Sequence, residues 1–146
     1  KLVRTLDTAD LTHYVECIKD LIQNRQDIKL VIIDSLMAPY RSEFVGREIL
    51  AERQQRIASL LYTLKKFTQT YGFAVYYTNQ ILTKPDQFFG DTVVAAGGNV
   101  VSHYSHYRLY LRNGKKGLRV AKLTDSSNLP EGEAAFAIEE MGIKDP

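Results

Sequence analysis

The sequence has a single cysteine, Cys17, so no disulfide can form within the chain, which points to a reducing compartment. No apolar run approaches the ~20 residues that a helix needs to cross a bilayer, and runs such as Leu30–Ile33 are the length of strands. The opening residues, Lys1, Leu2, Val3 and Arg4, lead into no apolar signal segment. These absences predict an intracellular protein with no membrane partner. There is no internal repeat and no low-complexity tract. Also missing is any Gly-x-x-x-x-Gly-Lys-Ser/Thr stretch, the P-loop whose backbone amides and lysine cradle nucleotide phosphates.

What remains is a chain of 146 residues, the length of one domain, 45% apolar and 25% charged, enough for a core and a solvated surface. The net charge of +2 selects no partner, but the charges are unevenly placed. Residues 108–122 carry Arg108, Arg112, Lys115, Lys116, Arg119 and Lys122 and no acid, whereas residues 125–146 are dominated by Asp125, Glu131, Glu133, Glu139, Glu140 and Asp145. A basic hairpin with an acidic tail suits head-to-tail pairing of subunits, or a phosphate-facing edge. It equally suits a solvated strand edge whose lysines block aggregation.

Periodicity gives the elements. Thr8 is placed to cap a helix with Leu11, Val15, Ile18 and Ile22 on one face, ended by polar residues 23–27. Residues 29–34 read as a strand buried on both faces of a parallel sheet. Residues 41–48 are polar and irregular. A helix is predicted from about Leu50 to Tyr71, with Ile57, Leu60, Leu61, Leu64 and Phe67 at helical spacing and Gly72 as its stop. Residues 73–79 form a second buried-type strand, which completes a βαβ unit. Residues 81–99 show no periodicity, and structureless stretches of that length are usually functional or disordered. Residues 107–112 and 118–123 alternate around Asn113-Gly114, a hairpin signal, and 134–138 offers a further short strand. The fold class is α/β, a parallel sheet extended by a C-terminal antiparallel hairpin.

Several residues sit where chemistry is done. Asp34 ends an apolar strand, the form of a Walker B acid that holds the water shell of Mg²⁺ on a nucleotide, though a strand-end Asp also serves simply to cap a turn. Gln80, next to Asn79 at the end of the second strand, can sense a phosphate and pass the signal to the adjoining loop, or satisfy its own turn. Residues 41–53 carry Arg41, Arg47 and Arg53; residues 83–99 carry Lys84, Phe88, Phe89 and the pair Gly97-Gly98. Arginines on loops suit phosphate contact and aromatics suit base stacking. The alternative is a solvated loop with two phenylalanines packed on the domain.

Taken jointly, the motifs resemble one family. Asp34-Ser35-Leu36, Tyr40-Arg41-Ser42-Glu43-Phe44-Val45-Gly46-Arg47 and Leu50-Ala51-Glu52-Arg53-Gln54-Gln55 precede Thr78-Asn79-Gln80, Phe88-Phe89-Gly90-Asp91 and Gly97-Gly98-Asn99. His103, Arg108-Leu109-Tyr110-Leu111-Arg112 and Leu129-Pro130-Glu131-Gly132-Glu133-Ala134 complete the order. The series resembles the RecA-like recombinases of the RadA type and their eukaryotic counterparts, and covers the chain from about Asp27, with the preceding helix also fitting. The resemblance implies the distal half of a RecA-like P-loop ATPase core, residues 1–146, in a DNA-dependent ATPase that forms filaments on single-stranded DNA and exchanges strands with double-stranded DNA. It implies ATP and Mg²⁺ as cofactors, and self-assembly into filaments or rings.

By position, the resemblance implies that Asp34 is the Walker B acid. Arg41 and Arg47 fall in the first DNA loop, and Gln80 couples nucleotide to the second, residues 81–98, with Lys84, Phe88, Phe89, Gly97 and Gly98 near the DNA. His103 reaches towards the γ-phosphate; without the family it reads as a core helix histidine. Asp125 and Pro130 cap a neighbouring subunit's ATP. Three residues depart from the family pattern. Glu48 stands where glycine is usual after the loop arginine, Ala95 where proline is usual before Gly97-Gly98, and Ser127 where proline is usual after Asp125. The first change is expected to weaken DNA binding by the first loop, the others to loosen the second loop and the cap. The absent P-loop and upstream catalytic glutamate mark the chain as a fragment, or as a non-catalytic recombinase paralogue that mediates or binds DNA, and predict no ATP hydrolysis unaided. A hexameric helicase of the same superfamily is disfavoured by the 97–103 and 129–131 motifs.

Overall fold

The computed structural model describes residues 2–24, 27–46, 48–83 and 93–146. They fall into two compact units, Lys1–Tyr104 and Ser105–Pro146. In the first unit, helix α1 (Thr8–Gln23) is capped by Asp7, whose carboxylate accepts the Asp10 amide at 2.7 Å. The expected cap was Thr8. Both residue types cap helices, and Asp7 is the one with extended backbone, φ −142°. Thr8 is instead buried, and its amide and hydroxyl donate to the Glu43 carboxylate at 2.5 and 2.6 Å.

Strand β1 (Leu30–Ile33) leads through the short helix α2 (Ala38–Glu43) and the long helix α3 (Leu50–Tyr71) to β2 (Ala74–Tyr77). Helix α3 has the bounds that its periodicity predicts. Ile57, Leu60, Leu61 and Leu64 are buried, and Gly72 ends it in the left-handed region at φ +71°, its amide donating to Thr68 O at 2.9 Å. Strands β1 and β2 pair in parallel, Leu30 beside Ala74 and Ile33 beside Tyr77. Val31, Ile33, Val75 and Tyr77 join the core formed with α1 and α3. The opposite face does not match the reading of strands buried on both sides: Leu30 is 52%, Ile32 62% and Tyr76 49% exposed. The apolar pattern prepares two covered faces, and the described residues cover one.

Residues 81–99, expected to lack regular structure, pair at their ends. Strands β3 (Ile81–Thr83) and β4 (Val93–Ala95) are antiparallel, Ile81 beside Ala95, and helix α4 (Gly98–Tyr104) comes next. Strands of three residues are too short to show alternation. Helix α2 likewise covers the start of the stretch expected to be irregular, with Pro39 in its first turn, where a missing amide costs nothing.

The second unit is an antiparallel sheet of four strands in sequence order, β5 (Tyr107–Asn113), β6 (Arg119–Ser126), β7 (Gly132–Glu139) and β8 (Gly142–Lys144). The predicted hairpin and the strand at 134–138 are present, joined by the short strand β8. The β5–β6 connection is wider than the expected Asn113-Gly114 turn: positive φ falls on Lys116 (+54°) and Gly117 (+79°), within a 3₁₀ turn, Lys115–Gly117. Among the described residues no helix is long and apolar enough to cross a membrane.

Candidate functional site

The C-terminal ends of parallel strands form the crevice where open α/β sheets take ligands, and the polar residues after β1 and β2 meet there. The Thr78 amide donates to Ile33 O at 3.0 Å and its carbonyl accepts the Leu36 amide at 3.1 Å, so Thr78 backbone bonds bracket Asp34. Its hydroxyl donates to Asp34 Oδ1 at 2.6 Å. Asp34 is exposed at the strand end with one carboxylate oxygen oriented and Oδ2 as a second acceptor. Thr78, whose role was not read from the sequence, carries this orientation. Its place at the end of an apolar strand, level with Asp34 on the neighbouring one, was the available signal. Among the described residues no three His, Cys, Asp or Glu side chains converge as metal ligands. The single carboxylate fits a cation held through water and phosphate oxygens better than one caged by protein.

Next along the chain, Asn79 and Gln80 tie down the turn before α4. The Asn79 side-chain amide donates to Ala96 O at 2.7 Å, and the Ala96 amide donates to Gln80 O at 2.8 Å. The Asn79 side-chain oxygen accepts the Gln80 amide at 2.8 Å. Gly97 and Gly98 come next at φ +89° and +60°. The Gly97 position has no room for a side chain, since a Cβ would lie 2.4 Å from Val101 Cγ2 and 3.1 Å from Met37 Sδ. The Gln80 side-chain oxygen accepts a hydrogen bond from Arg41 Nη1. Arg41 and Gln80, predicted from separate motifs, are thus brought together.

Arg41 lies on a well-anchored root. Glu43, two residues on, holds the start of α1, and the Arg56 guanidinium lies 5.2 Å from the centroid of the Phe44 ring. Tyr40 beneath is buried, and that desolvation, with Glu43 adding and Arg56 opposing, pushes its hydroxyl up to about 12. Glu48 folds over Gly46, where a Cβ would meet Glu48 Oε1 at 2.4 Å. Arg47, Lys84, Phe88 and Phe89 lie outside the described residues. His103, in the last turn of α4, is exposed rather than in the core. A groove of about 430 Å³ between α1 and α3, bordered by Thr12, Glu16, Arg56 and Ser59, contains none of the predicted site residues.

In the second unit Asp125 Oδ2 accepts Arg108 Nε at 3.0 Å and Nη2 at 2.7 Å, beside an irregularity in strand register between Arg108 and Leu109. The segment leading to exposed Pro130 is pinned by side chains. The Ser126 hydroxyl accepts the Asn128 and Leu129 amides at 3.2 and 2.8 Å, and the Tyr107 hydroxyl donates to Asn128 Oδ1 at 2.8 Å. These bonds tie the loop on either side of Ser127. The basic strands are partly paired by their own acidic neighbours, Arg112 with Glu133 at 3.1 Å and Lys122 with Glu131 at 3.9 Å. Exposed pairs of this kind contribute only ~0–1 kcal/mol each, but they use cations that the sequence left open to an external partner.

Comparison with known proteins decides the family. The family described as Rad51 matches residues 2–146. The chain belongs to the Rad51 family. It is 50% identical over 132 residues to the DNA repair and recombination protein RadA of Methanococcus maripaludis strain C5, an alignment that takes in 90% of this chain and 41% of that protein. It is 48% identical over the same length to the protein of that description in Methanococcus voltae, with the same coverage. This Rad51-family chain therefore spans about two-fifths of the length of the curated relatives it matches.

Proposed function

We propose that this chain is the distal, C-terminal part of a RecA-like ATPase core that acts in DNA repair and homologous recombination. In this reading it works inside the cell, within a longer protein whose P-loop half holds ATP and Mg²⁺. That protein assembles into filaments or rings on single-stranded DNA and exchanges strands with double-stranded DNA. The observation that carries the reading is the junction at the ends of β1 and β2. There Asp34 and Gln80 lie beside the roots of both predicted DNA loops, one that includes Arg41 and one running from Ile81 to the Gly97-Gly98 turn.

Asp34, oriented by Thr78, would hold a water of the metal. Gln80 would meet the terminal phosphate, and His103 would approach the same phosphate, across a subunit boundary if the protein assembles. Bound Mg²⁺-ATP supplies a compact cluster of negative charge that these polar groups report on. Arg41, Arg47 and Lys84 would contact DNA phosphates, Phe88 or Phe89 would stack near bases, and Asp125 with Pro130 would close over a neighbouring subunit's nucleotide. The test is ATP turnover by the full-length protein with single-stranded DNA. Asp34→Ala is expected to bring Mg²⁺-dependent turnover to background while leaving the thermal transition in place. Undiminished turnover in that variant would remove Asp34 from the site.

A further inference from the structure

Arg41 and Gln80 are 39 positions apart in sequence, and their side chains bond. The backbone on the Gln80 side is fixed: its amide is held by Asn79, its carbonyl by the Ala96 amide, and Asn79 also holds Ala96 O. The Arg41 side is fixed as well, because Glu43 and Phe44 are anchored by Thr8, Arg53 and Arg56. Two rigid roots therefore meet through one side-chain hydrogen bond. A glutamine amide has one accepting oxygen and one donating nitrogen, and its neighbours decide which end faces where. A guanidinium only donates, so it can take only the oxygen.

We infer that Arg41 is a positioning residue for Gln80, pinning the amide oxygen so that the Nε2 group is the end offered to a phosphate oxygen. This rests on the proposed reading of Gln80 as the group that meets the nucleotide. The charge-assisted bond also polarises the amide, which strengthens Nε2 as a donor. A guanidinium has five N–H donors, and the bond to Gln80 uses one Nη1 donor. Arg41 therefore retains donors for a DNA phosphate while it holds Gln80. One side chain then links the nucleotide sensor to the first DNA loop, and the energetic coupling between nucleotide and DNA runs through it. Coupling is reciprocal, and typical values change affinity about 5–150-fold.

The experiment measures single-stranded DNA affinity of the full-length protein with and without a non-hydrolysable ATP analogue. The quantity of interest is the ratio of the two. Gln80→Met is expected to collapse the ratio, and Arg41→Met to lower it about fivefold or more. The double variant should fall no further than Gln80→Met alone, the mark of residues that act as one unit. Arg41→Lys keeps the charge and loses the planar fork, so the salt dependence of DNA binding should persist while the ratio falls. If both Arg41 variants weaken binding equally in the two nucleotide states, with the ratio intact and Gln80→Met still lowering it, Arg41 is a phosphate contact alone and the inference is overturned. An unchanged ratio in Gln80→Met would remove the sensor itself, and the positioning role with it.

Discussion

Gly97 and Gly98 both hold positive φ, yet their surroundings differ. A Cβ at Gly97 collides with Val101, whereas one at Gly98 lies 3.8 Å from Gln54 Nε2. Gly98→Ala should therefore cost only the backbone penalty, ~1–2 kcal/mol. Gly97→Ala should cost more because Val101 or Met37 must also shift. Thermal unfolding of the two variants gives the order, and a larger loss for Gly98→Ala would contradict this packing. Tyr40 makes a pH prediction. Its hydroxyl is raised to about 12 from an ordinary value of 10.0, so the unfolded state loses this proton first as pH rises. The stability that it contributes is complete below about pH 10 and declines towards pH 12. Tyr40→Phe should flatten that part of the alkaline stability profile, and an unaltered profile would mean that Tyr40 ionises normally. Arg47→Ala should weaken single-stranded DNA binding and reduce its salt slope by about one charge; unchanged slope and affinity would take Arg47 out of the interface. The glycine pair could be read from sequence because only glycine takes such backbone freely. The Arg41–Gln80 bond could not, since no local pattern links polar side chains in distant motifs.

Among the elements, α3 was the most legible. A long amphipathic stripe and a glycine stop leave little freedom, and its buried residues are the ones that the spacing selects. Leu60→Ala should cost ~2–5 kcal/mol, read by denaturant unfolding; a loss under ~1 kcal/mol would place Leu60 outside the core. Strands β3 and β8 were not legible, since three residues cannot display a period and pairing partners decide whether they form. The exposed side of the β1–β2 pair was misread for a different reason. Residue type reports that a face is suited to burial, while tertiary contacts decide whether it is covered. Leu30 and Ile32 on that face form an exposed apolar patch, the kind of surface that favours association. The isolated chain should sediment as aggregates or oligomers at low micromolar concentration, and Ile32→Lys should reduce that association. A compact monomer with a cooperative transition would show that the chain closes its own core.

For the molecule as a whole, the α/β class, the Rad51 relationship and the place of Asp34 and Gln80 after two parallel strands were legible in the sequence. Motif order constrains a family more tightly than any single motif. In the second unit the β5–β6 hairpin and the strand at 134–138 were legible, whereas β8 and the internal pairing of its charges were not, because alternation beyond the hairpin shows strands without their partners. The absent P-loop has a direct consequence: the isolated chain should bind Mg²⁺-ATP too weakly for calorimetry, and micromolar binding would contradict its dependence on another segment. On the proposed function, this chain serves a DNA strand-exchange ATPase. Strand exchange between single-stranded and homologous double-stranded DNA by the full-length protein, monitored with and without Mg²⁺-ATP, tests it most directly. Nucleotide-dependent exchange is expected, and Gln80→Met is expected to impair it severely. Nucleotide-independent annealing, or no exchange with Mg²⁺-ATP present, would contradict it.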